Sequence, residues 1–388
     1  MSAESVPVVP VVPVVPTIRR WPRRTAYGLA GLAVLVPTST ASAGWYFANQ
    51  VVDARPREYP LEVRGFDGDL VTLARTEDTE RDVPYGLLWP NGHARLGAVI
   101  RTERATVVRR VDEITHGTLR AGVRAGTTSA VFDGDPLTAR GLDFDDVTVP
   151  GELGPMPAWL VAGASSTWVI AVHGRGGSRA EALRALPTLA GLGLPTLVVT
   201  YRNDEGAPPS RDRRYHLGGT EWRDVAAAIR YARSQGASDV ILYGWSMGGA
   251  ATMMTLRRAP EAAFVRALVM DCPALDWTAT LRLNARRRNL PPPLTWAAMR
   301  LVEQRLGVRL TELNQVRHVG SLRVPTLIFL DGDDVVADPA PTRLFARLRP
   351  ELVRLVETQG GGHTRSWNVD PARYEAELSA FVGGVAVG

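Results

Sequence analysis

Short apolar runs that alternate with amphipathic stretches dominate the second half of the chain. From residue 144 onward, six runs rich in Val, Ile and Leu are typical of strands buried on both faces, at 168–173, 196–201, 240–243, 267–270, 326–330 and 352–356. Helical stretches lie between or after them, at 180–192, 222–235, 250–258, 340–348 and 371–382. This alternation predicts an α/β domain over residues 141–388, with a mostly parallel sheet and helices on both faces.

Two other regions have different patterns. Residues 277–322 lack a strand pattern and contain amphipathic runs such as 299–306, so we predict a helical cap inserted over the sheet. Residues 57–140 form a separate, small β-rich region. Alternating residues on both sides of Asp67-Gly68 predict a hairpin there, and the region shows no catalytic pattern.

The N-terminal 52 residues have a third pattern. Residues 1–24 combine a Pro-Val-Val repeat, typical of polyproline II, with four arginines, and residues 25–52 carry no charge. The uncharged run is long enough to cross a bilayer. Because the arginines precede it, we predict a single-pass plasma-membrane anchor with a cytoplasmic N-terminus and an extracytoplasmic catalytic domain.

A cleaved signal peptide is the alternative for residues 25–52. Ala41-Ser42-Ala43 matches a cleavage site, and Arg23-Arg24 is compatible with a twin-arginine signal. Pro37 and the polar residues after it argue against an anchor, whereas the aromatic residues 45–47 argue against a signal peptide. Both alternatives place the rest of the chain outside the cytoplasm.

Composition excludes several function classes. The net charge is +5, and all 45 basic residues are arginine. No basic patch contains interleaved aromatic residues, so we expect no nucleic-acid partner. The single cysteine, Cys272, excludes an internal disulfide, and no Cys/His cluster has metal-site spacing. We therefore expect neither metal nor cofactor, while the oligomeric state stays open.

Gly244-Trp245-Ser246-Met247-Gly248 is the strongest catalytic signal. This Gly-x-Ser-x-Gly motif follows an apolar run and precedes a helical one, which predicts a strand–turn–helix elbow. The sharp turn strains the serine backbone and exposes its hydroxyl above the sheet. We predict that Ser246 is a nucleophile.

A serine nucleophile needs a histidine base. Of the six histidines, His318 and His363 follow Ser246. His363 lies in a glycine-rich loop after the last predicted strand, where a base must lie to reach the elbow. His318 lies at the end of the cap insertion, before a strand, so we predict a structural role for it.

The third group of a triad is a carboxylate. Asp331, Asp333 and Asp334 follow the penultimate strand, and we predict Asp334 because it lies beyond Gly332. Asp333 is the second choice. Asp271, at the end of the strand before the cap, is the third.

A tetrahedral intermediate needs two N–H donors for its oxyanion. We predict that the Met247 N–H supplies one. The turn His173-Gly174-Arg175-Gly176-Gly177, directly after a buried strand, supplies the other through Arg175 or, as second choice, Gly176. His173 is expected to brace this turn. A phosphate-binding loop is excluded, because the turn lacks both a Walker lysine and Gly-x-Gly-x-x-Gly spacing.

Four motifs follow one another along the chain: the His-Gly-Arg-Gly-Gly turn, the Gly-Trp-Ser-Met-Gly-Gly elbow, Asp-Gly-Asp-Asp and Gly-Gly-His. This is the order of the α/β-hydrolase superfamily, which the chain resembles over residues 140–388. Within it the chain is similar to the serine-aminopeptidase-like (S33-like) and acyl-hydrolase branch. Segments beginning at Tyr201 and Tyr215 resemble membrane-linked bacterial members. One departure is an acid loop about a residue shorter than usual.

The resemblance implies a serine hydrolase that acts on a small acyl substrate through a Ser-His-Asp triad and an acyl-enzyme. We expect a carboxylic ester as substrate and treat a peptide or amide as the alternative. A non-catalytic binding module with the same fold is the alternative from another class.

Overall fold

The computed structural model describes residues 45–54 and 57–387. It begins with a helix, α1, over 45–52, and the next unit is a closed antiparallel barrel in which the strands are ordered β1-β2-β5-β4-β3-β6. The strands are β1 (Leu61–Asp67), β2 (Leu70–Ala74), β3 (Tyr85–Trp89), β4 (Gly92–Thr102), β5 (Thr106–His116) and β6 (Arg124–Thr128). The predicted hairpin joins β1 to β2. Alternate residues such as Val63, Leu73 and Leu96 fill the barrel interior.

An eight-stranded sheet forms the second unit, in the order β14-β13-β12-β11-β9-β10-β8-β7. Its strands are β7 (Asp145–Pro150), β8 (Pro155–Val161), β9 (Thr167–Val172), β10 (Thr196–Val199), β11 (Asp239–Trp245), β12 (Val265–Asp271), β13 (Thr326–Asp331) and β14 (Val353–Thr358). The six from β9 to β14 pair in parallel, and β8 pairs antiparallel with both of its neighbours. The predicted mostly parallel sheet is confirmed.

Helices cover both faces of this sheet, as predicted. Strand β9 shows why: Trp168, Ile170 and Val172 pack into one core, and Val169 and Ala171 pack into another. Two short helices precede the sheet in the chain, α2 (Glu77–Glu80) between β2 and β3 and α3 (Pro136–Arg140) between β6 and β7. The helices that follow are α4 (Leu186–Gly191), α5 (Trp222–Ser234), α6 (Met247–Arg258), α7 (Trp277–Arg287), α8 (Pro292–Leu306), α9 (Pro339–Leu348), α10 (Ser366–Val369) and α11 (Pro371–Val387).

One predicted helix is divided. The stretch 180–192 is a 3₁₀ segment (Arg179–Arg184) followed by the short α4. Pro187 lies in the first turn of α4, where its missing N–H and its ring are tolerated, whereas inside a longer helix both would break it. The cap insertion carries α7 and α8, and His318 lies in the 3₁₀ segment Val316–Ser321 after them.

Helix α1 packs against the α/β unit. Ala48 and Val52 are fully buried in its core, and the Val52 carbonyl accepts the Tyr215 N–H at 2.7 Å. Most of the predicted membrane segment, residues 25–44, lies outside the described residues. Among the residues that are described, no helix has the length and apolar character needed to cross a bilayer.

The contact between β9 and α6 depends on a glycine. A Cβ added to Gly248 would lie 2.1 Å from the Val172 carbonyl oxygen and 2.7 Å from that of His173. Both are backbone atoms at the carboxyl end of the central strand β9, where Val172 pairs with the strands on either side, so they cannot move away without disturbing that end of the strand. Gly248 therefore sets how closely the helix after Ser246 approaches the sheet.

We expect Gly248→Ala to lower the free energy of unfolding by about 1–3 kcal/mol, the usual cost of overpacking. Gly191→Ala in α4 is the matched control, because nothing lies within 4 Å of its added Cβ, and it should change stability by less than about 1 kcal/mol. Urea denaturation followed by fluorescence measures both. Equal midpoints for Gly248→Ala and the parent chain would contradict this interpretation.

Candidate active site

The predicted nucleophile lies at the junction between β11 and α6. Ser246 has φ 51° and ψ −114°, a conformation that residues with a side chain seldom adopt. The strand ends and the helix begins within one residue, so the side chain projects from the carboxyl end of the sheet. Because it precedes the helix N-terminus, the positive end of the helix dipole lies beside the hydroxyl and stabilises negative charge there.

The structure brings His363 and Asp334 to this serine. His363 Nε2 lies 2.8 Å from Ser246 Oγ, and His363 Nδ1 lies 2.7 Å from Asp334 Oδ2. The other oxygen of Asp334 accepts the N–H groups of Val336 and Ala337 at 2.8 and 3.0 Å. Nδ1–H therefore donates to the carboxylate, and the lone pair of a neutral ring faces the serine. An imidazole held in this way can remove the serine proton.

The aspartates ranked second and third, Asp333 and Asp271, have different partners. Asp333 is exposed and accepts the Gly360 N–H at 2.9 Å. Asp271 is buried and accepts the Tyr374 hydroxyl at 3.0 Å, and burial raises the pKa of Asp271 to about 6. Asp334 is the aspartate of the three that hydrogen-bonds the histidine. Its role in catalysis stays a prediction.

Two opposing effects act on the pKa of His363. Burial lowers it, because the charged ring loses hydration. The charge of Asp334 and its hydrogen bond raise it, with further contributions from the carboxylates of Glu181 and Asp271. The raising effects prevail, so the pKa of His363 lies above its ordinary 6.5. A neutral base is therefore lost as the pH falls through a value above 6.5.

The peptide between Gly174 and Arg175 is held from its carbonyl side. The Gly174 oxygen accepts bonds from His173 Nδ1 at 2.8 Å and from the Tyr201 hydroxyl at 2.8 Å. The Gly177 N–H is a third donor at 3.1 Å. The C=O and N–H of a trans peptide point in opposite directions. These bonds therefore turn the Arg175 N–H away from the buried carbonyl.

This turn runs beside the nucleophile. A Cβ added to Gly174 would lie 3.1 Å from Ser246 Cβ. Gly176 has φ 66°, which favours glycine. Met247 begins α6, where an N–H has no intrahelical acceptor. These positions agree with the predicted donors Met247 and Arg175, and the assignment of the oxyanion hole stays a prediction.

His173 is a brace rather than a reacting group. Its Nε2 donates to Asp204 Oδ2 at 2.8 Å, and its ring stacks on Tyr201 with 4.4 Å between centroids. Burial lowers the pKa of His173, but Asp204 and the Gly174 carbonyl raise it to a net value above 6.5. No sequence motif predicted these roles of Tyr201 and Asp204. The available signal was their position directly after β10, at the same sheet edge as the elbow.

The barrel holds the loop that carries His363. Thr364 donates its hydroxyl to Ser129 Oγ at 2.8 Å, and the buried Arg365 pairs with Asp78 at 2.8 Å. Asn368 donates to the Ser129 carbonyl at 3.1 Å. Residues 57–140 carry no catalytic motif, and their contacts with the His363 loop were not predictable from the sequence.

Two clefts meet at Ser246 and His363. The first, of about 260 Å³, lies under the cap, and α1 forms part of its wall. The second, of about 240 Å³, lies between the barrel and the 174–178 turn. Hydrocarbon side chains dominate the first cleft, among them Phe47, Val51, Leu281, Met299 and Val302.

One group of side chains has metal-site geometry within the described part of the chain. Cys272, Asp334 and His363 offer ligand atoms that lie within 4.8 Å of one another. Both ring nitrogens of His363 already have hydrogen-bond partners. Burial and nearby carboxylates raise the pKa of the Cys272 thiol well above its ordinary value, so it stays protonated and is a poor ligand. The donor set does not fit a resident metal.

Comparisons with known proteins agree with this architecture. The family model described as "Alpha/beta hydrolase family" matches residues 169–377, more than half of the chain. A model described as a domain of unknown function (DUF8805) matches residues 62–128, which lie in the barrel. No curated protein matches the chain.

Solved structures similar to the chain include esterases. The Pyrococcus furiosus esterase PF2001 has 19% identity and a TM-score of 0.53, over 65% of this chain and 94% of that chain. A second crystal form has 18% identity and a TM-score of 0.51, over 63% and 94%. Est1E from Butyrivibrio proteoclasticus, bound to ferulic acid, has 15% identity and a TM-score of 0.48, over 62% and 100%. Identities this low show a shared fold alone.

We expect Asp334→Asn to lower kcat by about 10⁴-fold, because the amide no longer selects the productive ring tautomer. Without the carboxylate the pKa of His363 falls, so the acid limb of the residual pH–rate profile should move to lower pH. Stopped-flow hydrolysis of a p-nitrophenyl ester measures both.

The matched control is Asp333→Asn, because the amide oxygen still accepts the Gly360 N–H that the carboxylate bonds. It should keep the parent rate and the parent acid limb. A silent Asp334→Asn beside an inactive Asp333→Asn would show that the acid is misassigned.

Proposed function

Because the chain belongs to the alpha/beta hydrolase family, we propose that it is a serine hydrolase that cleaves a carboxylic ester through an acyl-enzyme on Ser246. The observation that carries the proposal is the hydrogen-bonded chain from Ser246 through His363 to Asp334, with distances of 2.8 and 2.7 Å. It lies at the meeting point of two clefts, so a bound substrate would have its scissile bond beside the hydroxyl.

Acylation begins when Ser246 Oγ attacks the carbonyl carbon and His363 Nε2 takes the hydroxyl proton. The carbonyl π electrons move to oxygen, and the Met247 and Arg175 N–H groups stabilise the resulting oxyanion. When the tetrahedral intermediate collapses, the C–O bond to the alcohol breaks. His363 then gives its proton to the departing oxygen.

Deacylation repeats the same steps with water. His363 removes a proton from water, the hydroxide attacks the acyl carbon, and the bond to Oγ breaks. The proton returns to Oγ, and the carboxylic acid leaves. The buried Asp334 carboxylate stabilises the imidazolium in both halves, which is why its pairing with His363 supports this mechanism.

The cleft under the cap supports an apolar acyl group. Phe47 and Val51 of α1 face cap residues such as Leu281, Met299 and Val302 across it. Burying an acyl chain there contributes roughly 25 cal/mol per Å² of apolar surface removed from water. An ester with a hydrocarbon acyl chain therefore fits better than a peptide, whose backbone polar groups need partners.

The esterases among the similar structures also favour an ester. The aminopeptidase-like branch stays a prediction and is an outcome of the substrate test below. A non-catalytic binding module is the other alternative, and the hydrogen-bonded geometry of Ser246, His363 and Asp334 argues against it.

We also propose that the membrane anchor predicted for residues 25–52 crosses the bilayer through residues 25–44, because residues 45–52 form α1. Residues 25–44 carry no charge and follow four arginines, and as a helix they would span about 30 Å, the thickness of the bilayer core. Their continuation, α1, packs on the α/β unit with Ala48 and Val52 buried. Docking of α1 would hold the catalytic unit close to the outer surface of the membrane.

We expect a fluorophosphonate probe to label the parent protein on Ser246 and to fail with Ser246→Ala. His363→Ala should be labelled at least 10³-fold more slowly, because Ser246 then lacks its base. Since the triad acts as a unit, the double variant should lose little more activity than either single variant. Gel fluorescence and peptide mass spectrometry measure the labelling. Parent turnover of an ester in Ser246→Ala would overturn the proposal. Faster cleavage of an amide than of an ester with the same acyl group would favour the peptidase.

We expect the protein to remain in the membrane pellet after an alkaline carbonate wash. A chain that begins at residue 45 keeps α1 with its buried Ala48 and Val52, so it is the control and should be released. Detection of a mature N-terminus at Gly44 would instead show cleavage after Ala43 and contradict the anchor.

A further inference from the structure

The second cleft at Ser246 is made by two units of the chain. Residues 57–58 and the end of β6 with the residues after it, 126–130, line one side, and the 174–178 turn lines the other. Ser246 and His363 lie at its inner end. The barrel therefore reaches the reacting atoms of the proposed hydrolase, although residues 57–140 carry none of the predicted catalytic groups.

The lining of this cleft differs in chemistry from that of the cap cleft. The side chains of Thr127, Thr128, Ser129 and Ser178 contribute hydroxyl groups, and four glycines of the lining contribute backbone N–H and C=O groups. Polar surface of this kind loses hydrogen bonds to water when an apolar group covers it. An alcohol with hydroxyl groups of its own can replace those bonds.

Charge in the cleft is balanced. Arg57 and Arg175 supply two positive groups, and Glu58 and Glu181 supply two negative ones. Glu181 is buried and accepts the Gly174 N–H at 2.8 Å, so it also holds the turn. A balanced lining gives little net attraction for either an anion or a cation and favours a neutral ligand.

Buried and half-buried hydrogen bonds hold the two sides of the cleft together. Ser129 receives the Thr364 hydroxyl at 2.8 Å, and the Ser129 carbonyl receives Asn368 Nδ2 at 3.1 Å. Arg184 donates to the Thr364 carbonyl at 2.7 Å and is itself buried. The cleft is therefore a fixed part of the fold, with its width set by hydrogen bonds between the units.

We propose that this cleft binds the alcohol part of the ester, and that this alcohol is neutral and carries several hydroxyl groups, as glycerol or a sugar does. The inference rests on the proposed ester hydrolysis. The acyl chain then lies under the cap, the carbonyl carbon lies at Ser246, and the alkoxy oxygen lies where His363 Nε2 delivers its proton. The barrel determines which alcohol the enzyme accepts.

The test compares three octanoate esters that share one acyl group: monooctanoylglycerol, butyl octanoate and octanoylcholine. We expect the parent protein to have a kcat/KM for the glycerol ester at least tenfold above that for either of the others. The butyl ester lacks hydroxyl groups, and the choline ester carries a positive charge. Preference for the butyl or choline ester would overturn the inference.

Two variants assign the preference to the cleft. The hydroxyl groups of Thr127 and Ser129 already hydrogen-bond within the protein, so their removal would also disturb the fold. Thr128 is therefore the position to change, and Thr128→Val removes its lining hydroxyl with little change in shape. It should lower the ratio of glycerol-ester to butyl-ester kcat/KM by about tenfold, the value of roughly one hydrogen bond. Glu58→Trp, at an exposed position, should narrow the cleft and lower the same ratio.

Two controls separate this effect from others. Thr72→Val makes the same change in β2, outside the cleft lining, and should keep the parent ratio. Val51→Phe, in the cap cleft, should shift the preferred acyl length toward shorter chains without changing the alcohol ratio. An unchanged ratio in both Thr128→Val and Glu58→Trp would overturn the inference alone. Absence of turnover and of fluorophosphonate labelling would overturn the proposed function and this inference with it.

Discussion

The arrangement of the candidate site depends on one half-buried ring, that of His363, which is held between two loops. His363 makes hydrogen bonds at both nitrogens, to Asp334 and to Ser246, and each partner comes from the loop after a different strand. A buried carboxylate is costly unless it is paired and hydrogen-bonded. Asp334 meets that requirement with the ring and two backbone N–H groups. The parallel sheet makes this possible, because it brings the carboxyl ends of β11, β13 and β14 to one edge.

Two further sets of hydrogen bonds hold the loops on either side of this ring. His173 and Tyr201 hold the Gly174 carbonyl and so orient the Arg175 peptide. The barrel holds the other side through Thr364 and Arg365. The loops that carry the candidate catalytic groups are therefore held by side chains that need not touch a substrate. Residues 57–58 and 126–130 line one side of the second cleft at Ser246, although they are far from Ser246, Asp334 and His363 in sequence.

The sequence predicted the α/β unit and the three residues that the structure brings together at Ser246, but it predicted neither the closure of the barrel nor the contacts that Tyr201, Asp204 and Ser129 make. The period of the apolar runs predicted the sheet, and the Gly-x-Ser-x-Gly turn located Ser246. The sequence ranked Asp334 above Asp333 and Asp271 without excluding either of them. The three differ in where their side chains point, and the sequence pattern does not show that. Contacts between units, such as Ser129 with Thr364, follow from how the barrel docks. No local period encodes docking, so the second cleft was not predictable.

The proposed mechanism requires a covalent intermediate on Ser246, and intact-mass spectrometry of an acid-quenched reaction tests this most directly. An octanoate ester mixed with the protein and quenched within milliseconds should add one octanoyl group, which peptide mapping should place on Ser246. The adduct should decay at the rate of turnover. Product release with no adduct at any quench time, or an adduct on another residue, would contradict the account.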